Sequence, residues 1–524
     1  MFHRALFSIL AFLATAYAYI WPSPQLDELE SARFDQKGSN ANALSGFLPS
    51  CDSFVFGANT GRSNAADWIR TAYHDMATHN STDGTGGLDA SIRFAEEQAR
   101  AENAGDGFAN TMTAVGVQVS RYISNADGLA LAAVMAIENC GGPEIPFRGG
   151  RIDATEPNAP GVPEPEQDLD SHIAAFARQG FTQTEMISLV ACGHTFGGVQ
   201  HDPFPDIVNV LNDTTDTEDV AHFDSTFVTF DNNVATEYIS GTTQNPLVVG
   251  FNDTTNSDKR IFGSDGNITM LSFSNSPALF ASTCADLFAR MIDTVPSGVV
   301  LTDVITPLPV KPSDVVLTMN GDVLELSASV RLWNTTDTTS SVSMLWKDHI
   351  GGTGNNTMRF SGLSSSTGGK YSAAWYSVFS GTIANFLSLD PTAGITSMSF
   401  LVDGQLEDQN GLGFAIQDGF MLSKTSCQIE PFVSARFDVA VRNGVNATRV
   451  YLEQITTDTL QRVVVVEIDI PPPSQPVAIN SAYSLWSVNV TNPNVPYAIG
   501  AEIDGIKYST TALYIVTGFP SCST

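Results

Sequence analysis

Two side chains that can move and stabilise charge lie four residues apart in the segment SNAADWIRTAYHD, residues 63–75. If this segment is helical, Arg70 and His74 lie one turn apart on the same face. The arginine keeps its charge, whereas an imidazole gains or loses a proton near neutral pH. Together they could transfer a proton and stabilise developing negative charge. Such pairs also arise by chance on many helices, so this spacing alone does not establish a site.

A second histidine, His194, follows a nearly all-apolar segment. The segment opens with Thr182 and Glu185 in the T-x-x-E pattern of a helix capping box. Its apolar run, residues 187–191, predicts a buried helix. A histidine at the end of such a helix is either a packed core residue, the commoner case, or a metal ligand.

Two loops are rich in oxygen-bearing side chains. Residues 81–94, STDGTGGLDASIRF, follow Asp75, and residues 222–233 read HFDSTFVTFDNN. Calcium binds six to eight oxygens from compact loops of this kind. Neither spacing matches an EF-hand, so each segment is either a calcium site or an ordinary surface loop. The candidate oxygen donors are Asp75, Gly87, Asp89 and Ser91 in the first group and Asp224, Thr226 and Asp231 in the second.

The N-terminus predicts a secretion signal over residues 1–18. Two basic residues precede an apolar run, and Ala16-Tyr17-Ala18 matches a small-x-small cleavage pattern. The six cysteines are even in number, which favours disulfides in an oxidising compartment. We therefore expect a secreted, extracellular glycoprotein. The glycosylation sequons are at Asn80, Asn212, Asn252, Asn267, Asn334, Asn355, Asn446 and Asn489.

Composition argues against two classes of partner. The formal net charge of −31 disfavours nucleic acid and anionic membrane surfaces. No later segment is apolar for long enough to predict a membrane span. A chain of 524 residues is long for a single core, so two domains are expected.

The chain changes character near residues 295–298. Before this point the apolar pattern is helical. After it, segments such as VVLTMNGDVLELSASVRLW alternate polar and apolar residues, and Asn-Gly pairs predict tight turns. We therefore predict a helical domain over residues 19–298 and an all-β, sandwich-like domain over residues 299–524.

The motifs together resemble the plant, fungal and bacterial haem peroxidase superfamily, in particular its secreted fungal, class II-like members. The resemblance covers about residues 45–295, in the family's order. RTAYHD (residues 70–75) is similar to the distal signature, and CGHTFG (residues 192–197) is similar to the proximal one. GGLDAS and FDSTFVTFD are similar to the two calcium loops. The resemblance implies a mainly α haem-peroxidase domain with a C-terminal β extension, which binds haem b and two calcium ions.

On the proximal side, the resemblance makes His194 the ligand of the haem iron and places Phe223 against its ring. The other ring nitrogen of His194 needs a carboxylate partner. Asp265, in Gly-Ser-Asp, is the expected partner, and Asp258, in Asn-Ser-Asp, is the alternative.

On the distal side, the resemblance implies that Arg70 and His74 cleave hydrogen peroxide. Asn103 would orient His74, and Tyr73 takes the place of a phenylalanine or tryptophan over the haem. The implied distal calcium ligands are Asp75, Gly87, Asp89 and Ser91. The implied proximal calcium ligands are Thr195, Asp224, Thr226, Thr229 and Asp231.

Substrate choice is less constrained. Only one acid occurs at the three positions where manganese peroxidases carry acids, here Ser63, Asp67 and Gln200. Leu189 replaces the surface tryptophan of lignin peroxidases. We therefore expect small aromatic or phenolic donors at a haem edge bordered by the proline-rich run, residues 157–166.

Two alternatives remain from the sequence. One is a degenerate peroxidase-like domain whose β-module binds a polysaccharide, another polymer or a cell-wall surface. The other is a non-haem metal hydrolase, but His194 has no second metal-binding side chain close in sequence.

The resemblance to the secreted fungal members also implies one disulfide, between Cys51 and Cys140. A bridge between Cys427 and Cys522 would close the β-domain. Cys192 and Cys284 then either form a third bridge or stay as buried thiols.

Overall fold

The computed structural model describes residues 19–379, 386–475 and 477–522, so the predicted secretion signal lies outside the described residues. A helical region is followed by antiparallel sheets, which confirms the predicted fold class. None of the described helices is both long and apolar enough to cross a membrane.

The helical region extends to residue 292. Its helices are α1 (Pro24–Phe34), α2 (Asn64–Met76), α3 (Ala95–Gln98), α4 (Gly107–Gly116), α5 (Asn125–Asn139), α6 (Leu169–Arg178), α7 (Gln183–Gly193), α8 (Asn233–Ser240), α9 (Pro246–Val249), α10 (Ser257–Phe262), α11 (Ile268–Asn275) and α12 (Pro277–Ile292). Its short strands are β1 (Lys37–Gly38), β2 (Gly198–Gln200) and β3 (Val220–His222).

Local sequence explains where two helices begin: α2, which carries Arg70 and His74, and α7, which ends at His194. The hydroxyl of Ser63 accepts the N–H of Ala66 and so begins α2. The predicted capping box begins α7, where Thr182 and Glu185 each satisfy a backbone N–H of the other. The helix α2 packs against α4 and α5, and α7 packs against α12. Both helices are thus fixed at one end by a cap and along one side by the helical core.

In its described residues, the β region forms three sheets. Its strands are β4 (Val310–Asn320), β5 (Val323–Trp333), β6 (Val342–Lys347), β7 (Thr353–Thr357), β8 (Arg359–Ser365), β9 (Ser372–Ser377), β10 (Leu387–Leu389), β11 (Ser397–Val402), β12 (Gln405–Glu407), β13 (Phe414–Ala415), β14 (Phe420–Ser423), β15 (Cys427–Glu430), β16 (Ser434–Arg442), β17 (Ala447–Thr457), β18 (Val463–Asp469), β19 (Tyr483–Val490), β20 (Tyr497–Ile503) and β21 (Ile506–Ser509).

The largest sheet runs in the order β1-β8-β9-β5-β4-β14-β16-β15, with β10 on β5 and β19 on β16. A second sheet runs β12-β11-β6-β7 with β13 on β11, and a third runs β18-β17-β20-β21. Pairing is antiparallel except between β4 and β14. Two further hydrophobic cores fill this region, separate from the helical core.

The N-terminal segment joins the two regions. Strand β1 pairs with β8 of the large sheet, although it lies in the part of the chain that the sequence assigned to the helical domain. On α1, Glu30 accepts hydrogen bonds from Lys311 and Arg331, and Arg331 also donates to Asp35. All four of these side chains are nearly or fully buried. The two regions are therefore connected by a desolvated ion network.

Three disulfides form within the described residues: Cys51–Cys140, Cys192–Cys284 and Cys427–Cys522. The first and third confirm the predicted pairs. The second joins α7 to α12 and decides between the two alternatives for these cysteines in favour of a bridge.

Replacing Arg331 with alanine tests the ion network. The change leaves the buried carboxylates of Glu30 and Asp35 without their main partner, which typically costs about 3–5 kcal/mol. We expect a clearly lower urea midpoint, measured by circular dichroism. Lys507 is a matched control because its contact with Glu467 is on the surface, and such pairs contribute about 0–1 kcal/mol. Equal midpoints for Arg331→Ala and Lys507→Ala would contradict this account.

Candidate functional site

A cavity of about 750 Å³ is lined by residues of both α2 and α7. Its volume lies within the range of small-molecule and cofactor sites. Many side chains that the sequence singled out line this cavity, and five of them are aromatic or basic. They are Arg70, Tyr73, His74, His194 and Phe223.

The tautomer of His74 is fixed by Asn103. The two side chains meet at 2.7 Å, between His74 Nδ1 and Asn103 Oδ1. The amide nitrogen of Asn103 donates to the carbonyl of Glu97 at 2.8 Å, so its oxygen must face the imidazole. Because that oxygen only accepts, Nδ1 carries the hydrogen and Nε2 keeps a free lone pair.

Arg70 presents a charge to the same cavity. One guanidinium nitrogen, Nη2, donates to the carbonyl of Ala104 at 3.1 Å, and the group lies 4.4 Å from the ring centre of Phe108. Burial lowers the pKa of Arg70 to about 10, so it stays charged at neutral pH. The nearby carboxylate of Asp67 is paired with Arg62 at 2.8 Å.

The environment of His74 opposes protonation. Burial, and then the positive charge of Arg70, lowers the pKa of His74 to about 3. The hydrogen bond to Asn103 acts in the opposite direction but is outweighed. The imidazole is therefore neutral at physiological pH and can serve as a base.

His194 has its own acceptor, and it is Asp258. The distance from His194 Nδ1 to Asp258 Oδ2 is 2.7 Å, and the amide of Asn245 donates to the same oxygen at 2.8 Å. Asp258 is almost fully buried, and Phe223 stacks on the imidazole with ring centres 4.1 Å apart. With Nδ1 occupied, Nε2 remains as the metal-binding atom.

This geometry corrects the prediction for His194: its carboxylate partner is Asp258 and not Asp265. Asp265 instead caps α11, where its carboxylate accepts the N–H groups of Ile268 and Thr269. Both aspartates follow a serine, so the local sequence does not separate them. They differ in burial, because Asp258 on α10 is almost fully buried, whereas Asp265 before α11 is only half-buried.

The distal oxygen group does not fit calcium. The carboxylate of Asp75 accepts the N–H groups of Asp89, Ala90 and Ile92, which leaves little of it for a cation. The side-chain amide of Asn158 donates into the remaining oxygens, including both carboxylate oxygens of Asp89. An N–H donor thus points at the atoms that a cation would need.

Gly87, the fourth residue of this group, serves a close packing contact. Its φ is +120°, and a Cβ at this position would lie 2.7 Å from the carbonyl oxygen of Thr294. Its N–H donates to the hydroxyl of Thr78 at 3.1 Å. The glycine is therefore explained without a metal.

The proximal oxygen group fits a cation better. Thr226 donates to the carboxylates of Asp224 and Asp231, and the hydroxyl of Thr195 donates to the Asp231 carbonyl. Asp224 Oδ2 is buried without a partner among the described residues. Burial, with Asp231 and Glu237 nearby, raises the pKa of Asp224 to about 7.

Carboxylates alone would not complete this proximal group. In the described residues, no three His, Cys, Asp or Glu side chains form a metal-binding cluster. A cation here would therefore depend on hydroxyl and carbonyl oxygens as well. Thr229, the remaining predicted ligand, contacts this group through its N–H, which donates to the Thr226 carbonyl at 2.7 Å.

Sequence reasoning missed two residues near the cavity. His172 on α6 lines the cavity, donates from Nε2 to the Glu164 carbonyl at 3.1 Å, and has no partner for Nδ1 in the described part of the chain. Its spacing from Phe176, one turn later, signals an inward-facing pair. Asn158 lies between two prolines, and no sequence pattern marks it.

Comparison with known proteins gives a consistent result. Residues 54–275 match the family model described as "Peroxidase". A WSC domain-containing protein of Arthroderma benhamiae is 39% identical over 339 residues, which cover 63% of this chain and 46% of that protein. L-ascorbate peroxidase 5, peroxisomal, of Arabidopsis thaliana is 35% identical over 138 residues, which cover 26% of this chain and 49% of that protein.

A mitochondrial cytochrome c peroxidase of Emericella nidulans is 33% identical over 139 residues, which cover 26% of this chain and 38% of that protein. The chain thus spans about half or less of the length of these relatives.

The protonation of His74 can be measured directly. In a histidine-selective NMR titration of the protein without added ligands, we expect His74 to remain neutral well below pH 5. Arg70→Leu removes a neighbouring positive charge and should raise the pKa of His74. A titration of wild-type His74 near pH 6.5 would contradict the geometry described above.

Proposed function

Because the helical region carries a peroxidase-family domain, we propose that the chain is a secreted haem peroxidase. It would reduce hydrogen peroxide and oxidise small aromatic or phenolic donors one electron at a time. The observation that carries the proposal is a pair of histidines lining one cavity, each with Nδ1 held by a side-chain oxygen. Three disulfides support passage through an oxidising compartment.

The residues present fit a haem. The cavity of about 750 Å³ has the size of a cofactor site, and His194, with Nδ1 held by Asp258, offers Nε2 on its wall. Asp258 would keep His194 oriented and raise the basicity of its ring. The bound haem would supply the electron transfer to and from the substrates.

His74 and Arg70 supply the proton chemistry. Nε2 of His74 would take a proton from one oxygen of hydrogen peroxide and return it to the other, which leaves as water. The bound haem would supply the two electrons that this cleavage consumes and regain them from the donors, so that with two further protons the peroxide becomes two waters overall. Arg70 stabilises the negative charge that gathers on the departing oxygen, using N–H groups not engaged by Ala104. The low pKa of His74 keeps this base neutral and ready.

The cavity rim supports the proposed class of donor. Apolar rim residues are Pro163, Pro165 and Phe204, and they suit flat aromatic molecules. Four carboxylates share the rim with them, at Glu102, Glu164, Glu166 and Asp206. These carboxylates repel anionic donors such as ascorbate, and the formal net charge of −31 of the whole chain adds to this repulsion. Neutral phenols are therefore favoured.

We also place the calcium of this proposal on the proximal side only, at Asp224 and its neighbours. The degenerate alternative is disfavoured, because Arg70, His74, Asn103 and His194 keep mutually consistent hydrogen bonds. Binding of a polymer or cell-wall surface by the β region stays a prediction, since no observation assigns it a site.

Removing the base tests the distal assignment. His74→Ala should slow the reaction with hydrogen peroxide by about 10²–10⁴-fold, the usual contribution of a positioned acid–base group. Stopped-flow absorbance of the haem-loaded protein measures the rate. His349→Ala is the matched control, because His349 lies in the β region bonded to Asp418 and should leave the rate unchanged. A wild-type rate in His74→Ala would refute the role.

A pair of aspartate substitutions tests the proximal assignment. Asp258→Asn removes the negative charge behind His194, so the imidazole becomes a weaker donor and the reduction potential of the bound haem should rise. Asp265→Asn changes only the cap of α11 and should leave the potential unchanged. Spectroelectrochemical titration compares the two. Equal potentials for Asp258→Asn and wild type would contradict the assignment.

A further inference from the structure

The side chain of Asn158 lies at the centre of the distal oxygen group. Its Nδ2 is 2.9 and 3.0 Å from the two carboxylate oxygens of Asp89, 3.0 Å from Ser91 Oγ and 3.3 Å from Thr78 Oγ1. A carboxylate can only accept, so the amide nitrogen and not its oxygen faces this group. One neutral NH₂ group therefore lies within hydrogen-bond distance of four oxygens.

We propose that the amide of Asn158 takes the place of a calcium ion in the distal loop, so that His74 is held without a metal on that side. The inference rests on the proposed function for the role of His74. The placement of the amide itself is independent of that role.

The neighbouring carboxylate is also satisfied without a cation. Asp75, the residue after His74, accepts three backbone N–H groups at 2.8–2.9 Å, from Asp89, Ala90 and Ile92. Ser91 completes the set with a longer contact of 3.4 Å. These backbone donors favour the charged form of Asp75, whereas burial and the carboxylate of Asp89 act in the opposite direction and raise its pKa.

Asn158 also reaches His74 by a second route. Its backbone N–H donates to the carboxylate of Glu97, whose carbonyl accepts from Asn103, and Asn103 in turn holds the imidazole. Arg100 donates to the carbonyl of Asn158. Side chain and backbone of this one residue thus connect the distal loop to the partner of His74, which makes Asn158 a positioning residue.

The position of Asn158 is well defined in the backbone. Pro157 precedes it, and Pro160 follows two residues later, so the local chain has little conformational freedom. The same run continues to the cavity rim at residues 162–166. Asn158 therefore anchors the start of the segment that borders the cavity.

Asn158→Asp provides the decisive test. The substitution places a third carboxylate against Asp89 and Asp75, and like charges at this distance require a cation or a proton. The backbone bonds to Glu97 and Arg100 are retained. After equilibration with calcium and removal of the free ion, we expect Asn158→Asp to hold one calcium more per chain than the wild type, measured by plasma mass spectrometry.

The matched control is Asn410→Asp, an exposed position in the β region, which should hold the wild-type amount of calcium. An unchanged calcium content in Asn158→Asp would overturn the proposal. If that variant is unstable, the wild type alone decides through amide hydrogen exchange of residues 86–94. The protection there should be the same in calcium and in the chelator EGTA. Lost protection in EGTA would show that a calcium ion holds the loop.

Peroxide kinetics give a further readout. The peroxide rate of Asn158→Asp should fall in EGTA, and added calcium should restore it. Any fall in the rate of the wild type in EGTA should be smaller. Equal calcium dependence of the two proteins would count against the proposal. Failure of the peroxidase assignment would remove this readout but leave the calcium count and the exchange pattern, so the two failures are distinguishable.

Discussion

The site depends on the direction of one hydrogen bond at each histidine. At His74 and at His194 a side-chain oxygen accepts the Nδ1 hydrogen, at 2.7 Å in both cases, so Nε2 is the nitrogen left for chemistry in the cavity. The acceptors differ in charge, and so do the consequences. Burial and the charge of Arg70 keep the distal ring a weak base despite its bond to neutral Asn103, whereas the carboxylate of Asp258 makes the proximal ring a stronger electron donor. The two imidazoles of one cavity thus have different surroundings.

The β region contacts the distal loop that follows His74. Arg93 in the distal loop donates to the Ala90 carbonyl at 2.6 Å and to the Leu460 carbonyl at 2.9 Å, in the turn between β17 and β18. Asn125, at the start of α5, reaches the next carbonyl, that of Gln461. The extension therefore packs against the distal loop and the start of α5. It contributes to the structure around the site, whether or not it also binds a partner.

Patterns local in sequence were enough to locate most of this arrangement. The helical spacing of Arg70 and His74, the capping box of α7 and the change to alternating residues after 298 each report on a few neighbouring positions. Contacts between distant segments were harder to predict. Asp258 and Asp265 look alike in local sequence, but only Asp258 is buried and bonded to His194. Asn158 substitutes for an ion through contacts 67–80 residues away, which no local pattern encodes.

The buried ion network explains why the two regions have one relative position. Burying Glu30, Lys311 and Arg331 costs desolvation energy, and such networks add little stability over apolar packing. Their effect is on specificity, because each charge finds its partner in one docking geometry and is left unpaired in others. That geometry also sets where the carbonyl of Leu460 meets Arg93. The ion network and the Arg93–Leu460 contact both join the extension to the helical region, and the second of them does so at the loop that follows His74.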